Sequence, residues 1–96
     1  MDKIYIGNRS FFLGTIPPST LEVLTEKIKG LTIPEPDTEG KTDIGDVVLF
    51  ILTAVFGGDE KKAFEAGQEL AQTEIDNVRV EQLCEAVELI RKKLEG

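Results

Sequence analysis

The stretch from Ile44 to Phe56 constrains the fold more than any other part of the chain, because ten of its thirteen residues are apolar. At 100° per residue, one side of a helix would carry a set of branched side chains at helical spacing, namely Ile44, Val47, Val48, Ile51 and Val55. The segment is shorter than the roughly 20 residues that cross a bilayer. The pattern therefore predicts a helix over residues 43–56 that neighbouring elements cover nearly all round.

A buried strand is the alternative for this segment, since Val and Ile also favour strands. The length of the segment, the acids Asp43 and Asp46 near its start and the Gly57-Gly58 pair after its end are typical of a helix. Acidic side chains stabilise a helix N-terminus. We therefore interpret Asp43 and Asp46 as helix-start residues and not as a catalytic carboxylate pair.

The N-terminal residues predict a β-hairpin over residues 1–16. Lys3 to Gly7 alternates between polar and apolar side chains, Gly7-Asn8-Arg9-Ser10 has turn composition, and Phe11-Phe12-Leu13 resumes an apolar run. Arg9 lies at the predicted tip, where we expect it to be solvated; contact with a partner is the alternative. A lone hairpin is barely stable in water, so the helices that follow must cover one of its faces.

Three further helices are predicted, over residues 19–29, 59–72 and 79–95. Ser19 and Glu22 fit a capping box at the start of the first. Asp59 is the expected N-cap of the second, which contains Gly67 at a cost of about 1 kcal/mol relative to Ala; close approach of another helix would offset that cost. Residues 31–42 contain two prolines and no periodicity, which predicts a loop.

The sequence thus predicts one domain over residues 1–96, of the α+β class and mostly helical. In this fold an N-terminal β-hairpin packs on a cluster of four helices around the buried central helix.

Composition excludes several functions. The net charge is −7, with 18 acidic against 11 basic residues, and such a chain repels nucleic-acid phosphates. There is no His and one Cys, which excludes the usual zinc sites and Cys–His or Ser–His nucleophile pairs. Cys84 lies on the apolar face of the last predicted helix and is interpreted as a core residue.

No catalytic, cofactor-binding or metal-ligating residue is predicted, so we expect no enzyme. Acids between Asp37 and Asp43 resemble a calcium loop only superficially, because Lys41 takes a ligand position and the twelfth residue is Val48 instead of Glu. The first residues lack the basic and apolar regions of a signal peptide. We therefore expect a cytoplasmic protein without a membrane partner.

The two apolar sides of the central helix predict an interaction surface. In a chain of 96 residues, few elements are present to cover both sides. A leftover strip of Leu49, Leu52 and Phe56 would bind a partner protein or a second copy, giving a homo-oligomer. The alternative is that the hairpin covers one side and the last two helices cover the other.

The order of these elements carries a family resemblance. It comprises the hairpin from Ile6 to Leu13, the segment Pro-Pro-Ser-Thr-Leu-Glu-Val-Leu from Pro17, a proline-rich loop, an apolar helix that opens Asp43-Ile-Gly-Asp-Val-Val, and a last helix after Glu74-Ile-Asp76. This pattern resembles the small tail assembly chaperones of long-tailed bacteriophages and prophages.

The resemblance implies a non-enzymatic chaperone in the cytoplasm of a bacterial host. Such a chaperone keeps the tape measure protein soluble and helps to recruit tail tube subunits. A small acidic inhibitor or regulatory interaction domain is the alternative function, although its acids would have to cluster on one face.

Overall fold

The computed structural model describes residues 2–31, 44–74 and 76–95. Two strands and four helices follow one another along the chain: β1 (Asp2–Ile6), β2 (Arg9–Leu13), α1 (Pro18–Lys29), α2 (Ile44–Val55), α3 (Glu60–Thr73) and α4 (Val80–Glu95). This architecture confirms the α+β, mostly helical class with an N-terminal hairpin and four helices. Of the predicted loop over residues 31–42, all but Leu31 lies outside the described residues.

The two strands pair antiparallel around a turn of two residues, Gly7 and Asn8, with Ile6 opposite Arg9 and Ile4 opposite Phe11. Gly7 has φ of 63°. Glycine at the first position of a two-residue turn allows the backbone twist that hairpins require. Strand alternation then turns one face of the hairpin inward, with Ile4, Ile6 and Leu13 buried, and leaves Lys3, Tyr5 and Phe12 on the outer face.

Helix α2 forms the centre of the molecule. Seven of its residues are buried, namely Val47, Val48, Phe50, Ile51, Leu52, Thr53 and Ala54. It packs against α1, α3, α4 and β2. The only buried hydroxyl in it, that of Thr53, donates to the Leu49 carbonyl at 2.7 Å and is therefore satisfied. The prediction of a helix covered nearly all round is confirmed.

The Gly57-Gly58 pair ends α2, as predicted. The Gly58 amide donates to the Thr53 carbonyl at 2.9 Å, the Gly57 amide donates to the Ala54 carbonyl at 3.2 Å, and Gly57 has φ of 64°. These two hydrogen bonds and the left-handed residue define a Schellman C-cap.

The predicted capping box at Ser19 is wrong. The N-cap of α1 is Pro17, no side chain caps the helix, and Pro18 is its first residue, so Ser19 and Glu22 lie inside the helix. Proline suits the first helical position because its φ is already helical and it has no amide to satisfy. The buried Thr20 hydroxyl instead donates to the Gly57 carbonyl at 2.9 Å, which fastens α1 to the end of α2.

Asp59 caps α3 as predicted, since its carboxylate accepts from the Lys62 amide at 3.1 Å.

Within the described ranges, no helix combines the length and the apolar character that a membrane crossing requires.

Candidate functional site

An apolar groove lies between the first half of α2 and the face of α3 that packs beside it. Its volume is ≈ 370 Å³. Val48 and Leu70, both buried, form part of its lining, and Asp46 and Gln68 supply polar groups. The other large side chains that line it are apolar, namely Ile6, Ile44, Leu49, Phe64 and Val78.

Gly67 lies where α3 passes over the core. A Cβ placed on Gly67 would meet the Leu52 Cδ1 atom at 3.7 Å, which is ordinary van der Waals contact. The lack of a side chain at this position keeps the groove deeper than an alanine would. The close approach expected at Gly67 is therefore present, but it leaves room for a methyl group.

Phe64 is the most prominent side chain of the groove. It is 55% exposed although it is large and apolar. Together with Leu49 it also lines a second cavity of ≈ 400 Å³, which extends to Lys27, Glu60 and Lys61. The two cavities thus adjoin along Phe64 and Leu49 and form a longer depression on the same side of the molecule.

The ends of this depression carry charges of both signs. Asp46 lies at the α2 end, and the Lys27 ammonium and Glu60 carboxylate lie 3.5 Å apart at the other end. Both side chains of that ion pair are at least 40% exposed, so the pair contributes little to stability. These groups remain available to polar atoms of a bound partner.

The predicted contact strip is not one continuous surface. Leu49 is half-buried and lines both cavities, Leu52 is 0% exposed beneath α3, and Phe56 is half-buried on the hairpin side, 6.4 Å from the Phe11 ring centroid. Leu52 cannot be a contact residue in this packing, because α3 covers its side of α2. Leu49 and Phe56 stay predicted contact residues, and they face different neighbours.

The sequence pattern did not identify Phe64 as an exposed residue. The buried positions of α3 are Ala63 and Leu70, seven residues apart, with Gly67 between them. Small residues at Ala63 and Gly67 let α3 lie close to α2, so the adjacent Phe64 is turned out of the contact. The succession of small residues beside one large aromatic was the available signal.

A polar cluster fixes the hairpin turn to the helices. The Gly7 amide donates to the Gln82 Oε1 atom at 2.9 Å, the Gln82 Nε2 atom donates to the Gly7 carbonyl at 3.1 Å, and the Asn8 amide donates to the Glu74 Oε1 atom at 2.7 Å. Gln82 Oε1 also accepts from the Arg79 amide at 3.2 Å, so the same side chain caps α4. One glutamine therefore joins the turn to the start of a helix.

We expected Arg9 to be solvated at the hairpin tip, but its side chain also contacts two neighbouring residues. Its guanidinium donates to the Glu69 carboxylate at 2.9 Å and lies 5.8 Å from the centroid of the Phe11 ring.

Cys84 is half-buried on α4. Within the described ranges, no group of three or more His, Cys, Asp or Glu side chains is placed to hold a metal ion.

No protein-family model matches the chain, and comparisons with curated proteins and with solved structures find no match either. Function is therefore inferred from the groove and from the sequence pattern.

Proposed function

We propose that this protein is a phage or prophage tail assembly chaperone without enzymatic activity, and that it binds tape measure and tail proteins in the groove between α2 and α3. The observation that carries the proposal is this open apolar groove with Phe64 exposed beside it. Solvent exposure of a large aromatic at the edge of an apolar depression is typical of a surface that a partner covers.

An amphipathic helix is the partner that this groove suits. A bound helix presents apolar side chains three and four residues apart, which can enter the two adjoining cavities on either side of Phe64. Its polar face would meet the charged ends of the depression at Asp46, Lys27 and Glu60. The net charge of −7 keeps such a complex soluble.

The chemistry of a tape measure protein supports the assignment. The resemblance implies that this partner is long and prone to aggregate, so its chaperone would have to cover exposed apolar surface. A groove that shields one helical face while the rest of the surface stays acidic meets this requirement. The resemblance in the order of elements, from the hairpin to the last helix, is the second support.

The test compares Phe64→Glu with Val23→Glu. Both residues are large, apolar and exposed on helices, but Val23 lines neither of the two cavities. Fully burying a Phe side chain contributes about 1.5–3 kcal/mol, and the partner would bury roughly half of Phe64. A carboxylate there adds a desolvation cost. We expect Phe64→Glu to weaken binding of a fluorescent tape measure helix at least about tenfold.

Co-expression provides the functional readout. The wild type and Val23→Glu should raise the soluble yield of the tape measure protein from the same phage or prophage, whereas Phe64→Glu should not. Urea unfolding would verify that both variants keep their fold. Equal soluble yields with both variants would refute the groove as the binding site, and no effect of the wild type on yield would refute the chaperone function.

A further inference from the structure

The second strand of the hairpin leaves one edge of the sheet open. The sheet has two strands. Strand β1 packs against α4, whereas the backbone of β2 lies near only β1 and α2 among the described elements. Its contact with α3 is made at one end of the strand, by the Arg9 side chain on Glu69. The contact with α2 is made from beneath, where Phe11 meets Phe56. The outer edge of β2 therefore has no neighbour among the residues that the structure describes.

The hairpin geometry determines which backbone groups point to that edge. The two-residue turn makes Ile6 and Arg9 a hydrogen-bonded pair, and hydrogen-bonded and non-hydrogen-bonded pairs then alternate along the strands. Ser10, opposite Tyr5, and Phe12, opposite Lys3, are therefore non-hydrogen-bonded positions. Their amide and carbonyl groups point away from β1, into the open edge.

This edge lacks the features that usually protect a sheet edge. Natural edges carry lysines, prolines or bulges that discourage pairing with another chain. From Ser10 to Leu13 the strand has none of these, and its pairing with β1 is regular. The one charged residue of β2, Arg9, is engaged by Glu69. Phe12 is 62% exposed, more than any other large apolar side chain described.

We propose that β2 is the site at which two copies of this chain pair, edge to edge and antiparallel, to form a four-stranded sheet across a two-fold axis. The axis passes beside Phe11. Ser10 of each copy then lies opposite Phe12 of the other. Each of these two pairs exchanges two backbone hydrogen bonds, which gives about four in all. The proposal is independent of the chaperone function and of the groove.

The second copy is favoured as the occupant because its side chains complement those of the first. In this register the two Phe11 side chains form a non-hydrogen-bonded pair, the closest kind, with Cα atoms about 4.5 Å apart. Each Phe11 already packs on a half-buried Phe56, so pairing gathers four aromatic rings. Arg9 lies opposite Leu13 of the second copy, so no like charges face each other along the strand.

Strand pairing of five residues buries less area than the roughly 1,200 Å² of a stable interface. We therefore expect a reversible dimer with a dissociation constant on the order of 0.1 mM. Sedimentation equilibrium between about 10 µM and about 1 mM should show the monomer becoming a dimer. A monomer at every concentration would overturn the proposal.

Amide hydrogen exchange gives residue-level evidence. The Ser10 and Phe12 amides should exchange fast in dilute protein and at least about tenfold more slowly near 1 mM, while the Phe11 amide, which pairs with Ile4, should be protected at both concentrations. Unchanged exchange at Ser10 and Phe12 in a dimeric sample would place the interface elsewhere and refute the proposal.

Two variants separate edge pairing from other contacts. Ser10→Pro removes one of the free donors without removing a hydrogen bond to β1, and Phe12→Lys places a charge on the exposed face of the edge. Each should weaken dimerisation at least about tenfold, and Val23→Lys on α1 should not change it. If the dimer survives in both edge variants, or is lost in Val23→Lys, the edge is not the interface.

Discussion

At the scale of single residues, two glycines of this chain have opposite roles. Gly67 lies inside α3, and a Cβ there would meet the Leu52 Cδ1 atom at 3.7 Å, an ordinary contact. Gly7 has φ of +63°, and a Cβ there would lie 2.9 Å from the Glu74 Oε1 atom and 3.1 Å from its Cβ. The first glycine is replaceable and the second is not.

We expect Gly67→Ala to raise the free energy of unfolding by about 1 kcal/mol, since alanine stabilises a helix interior relative to glycine. Gly7→Ala should lower it by at least about 1–2 kcal/mol, the cost of a left-handed conformation at a residue with a side chain. Urea unfolding measures both. Gly14→Ala, where a Cβ would meet nothing within 4 Å, is the neutral control. A destabilised Gly67→Ala variant would contradict the packing described between α3 and Leu52.

Residue-level prediction of the candidate site was limited for a physical reason. Periodicity indicates that Leu49, Leu52 and Phe56 share a side of the central helix, but it does not indicate which neighbour covers each of them. Leu52 is enclosed because α3 has Gly67 directly above it, whereas Phe64, one turn earlier, is left exposed. That difference depends on how closely two helices approach, and a pattern within one helix carries no such information.

At the scale of secondary-structure elements, Gln82 of α4 anchors the turn of the hairpin. Gln82 exchanges two hydrogen bonds with the Gly7 backbone and caps its own helix through the Arg79 amide. The hairpin turn and the start of α4 therefore both depend on the side-chain amide of Gln82.

We expect Gln82→Ala to destabilise the protein by about 1–3 kcal/mol, because partly buried backbone groups of Gly7 lose their partners. Gln82→Glu should also lower the free energy of unfolding relative to the wild type, since a carboxylate cannot donate to the Gly7 carbonyl. Gln72→Ala, an exposed position on α3, should change the free energy of unfolding by less than about 0.5 kcal/mol. Guanidinium unfolding provides the values, and a Gln82→Ala variant as stable as Gln72→Ala would show that the turn needs no such anchor.

The elements themselves were predictable from the sequence, and their observed helix ends lie within one residue of the predicted ones. Apolar spacing and the Gly57-Gly58 pair were sufficient signals, because they act within one segment. The capping of α1 was predicted wrongly, because Ser19 and Glu22 fit a capping box, whereas the N-cap is Pro17 and the first helical residue is Pro18. The contact of Gln82 with Gly7 joins residues 75 positions apart, so no local pattern indicates it.

At the scale of the whole molecule, the two proposed binding surfaces lie at different places. The groove between α2 and α3 and the open edge of β2 are lined by different residues, so the proposed partner helix and the proposed second copy would not compete for the same surface. Which faces of α2 remain uncovered was not predictable from the sequence, because it depends on the packing order of four helices.

The net charge of −7 makes association of two copies sensitive to salt. Two acidic molecules repel each other, and the range of that repulsion falls from about 30 Å at 0.01 M to about 8 Å at 0.15 M ionic strength. The proposed edge pairing uses backbone hydrogen bonds and aromatic contacts and brings no opposite charges together. Raising the ionic strength between these values should therefore tighten the dimer, by several-fold in its dissociation constant. Sedimentation equilibrium at both salt concentrations would measure this, with Phe12→Lys as a variant that stays largely monomeric. A dimer that weakens as salt rises would mean that ion pairs hold the two copies together, which β2 cannot supply.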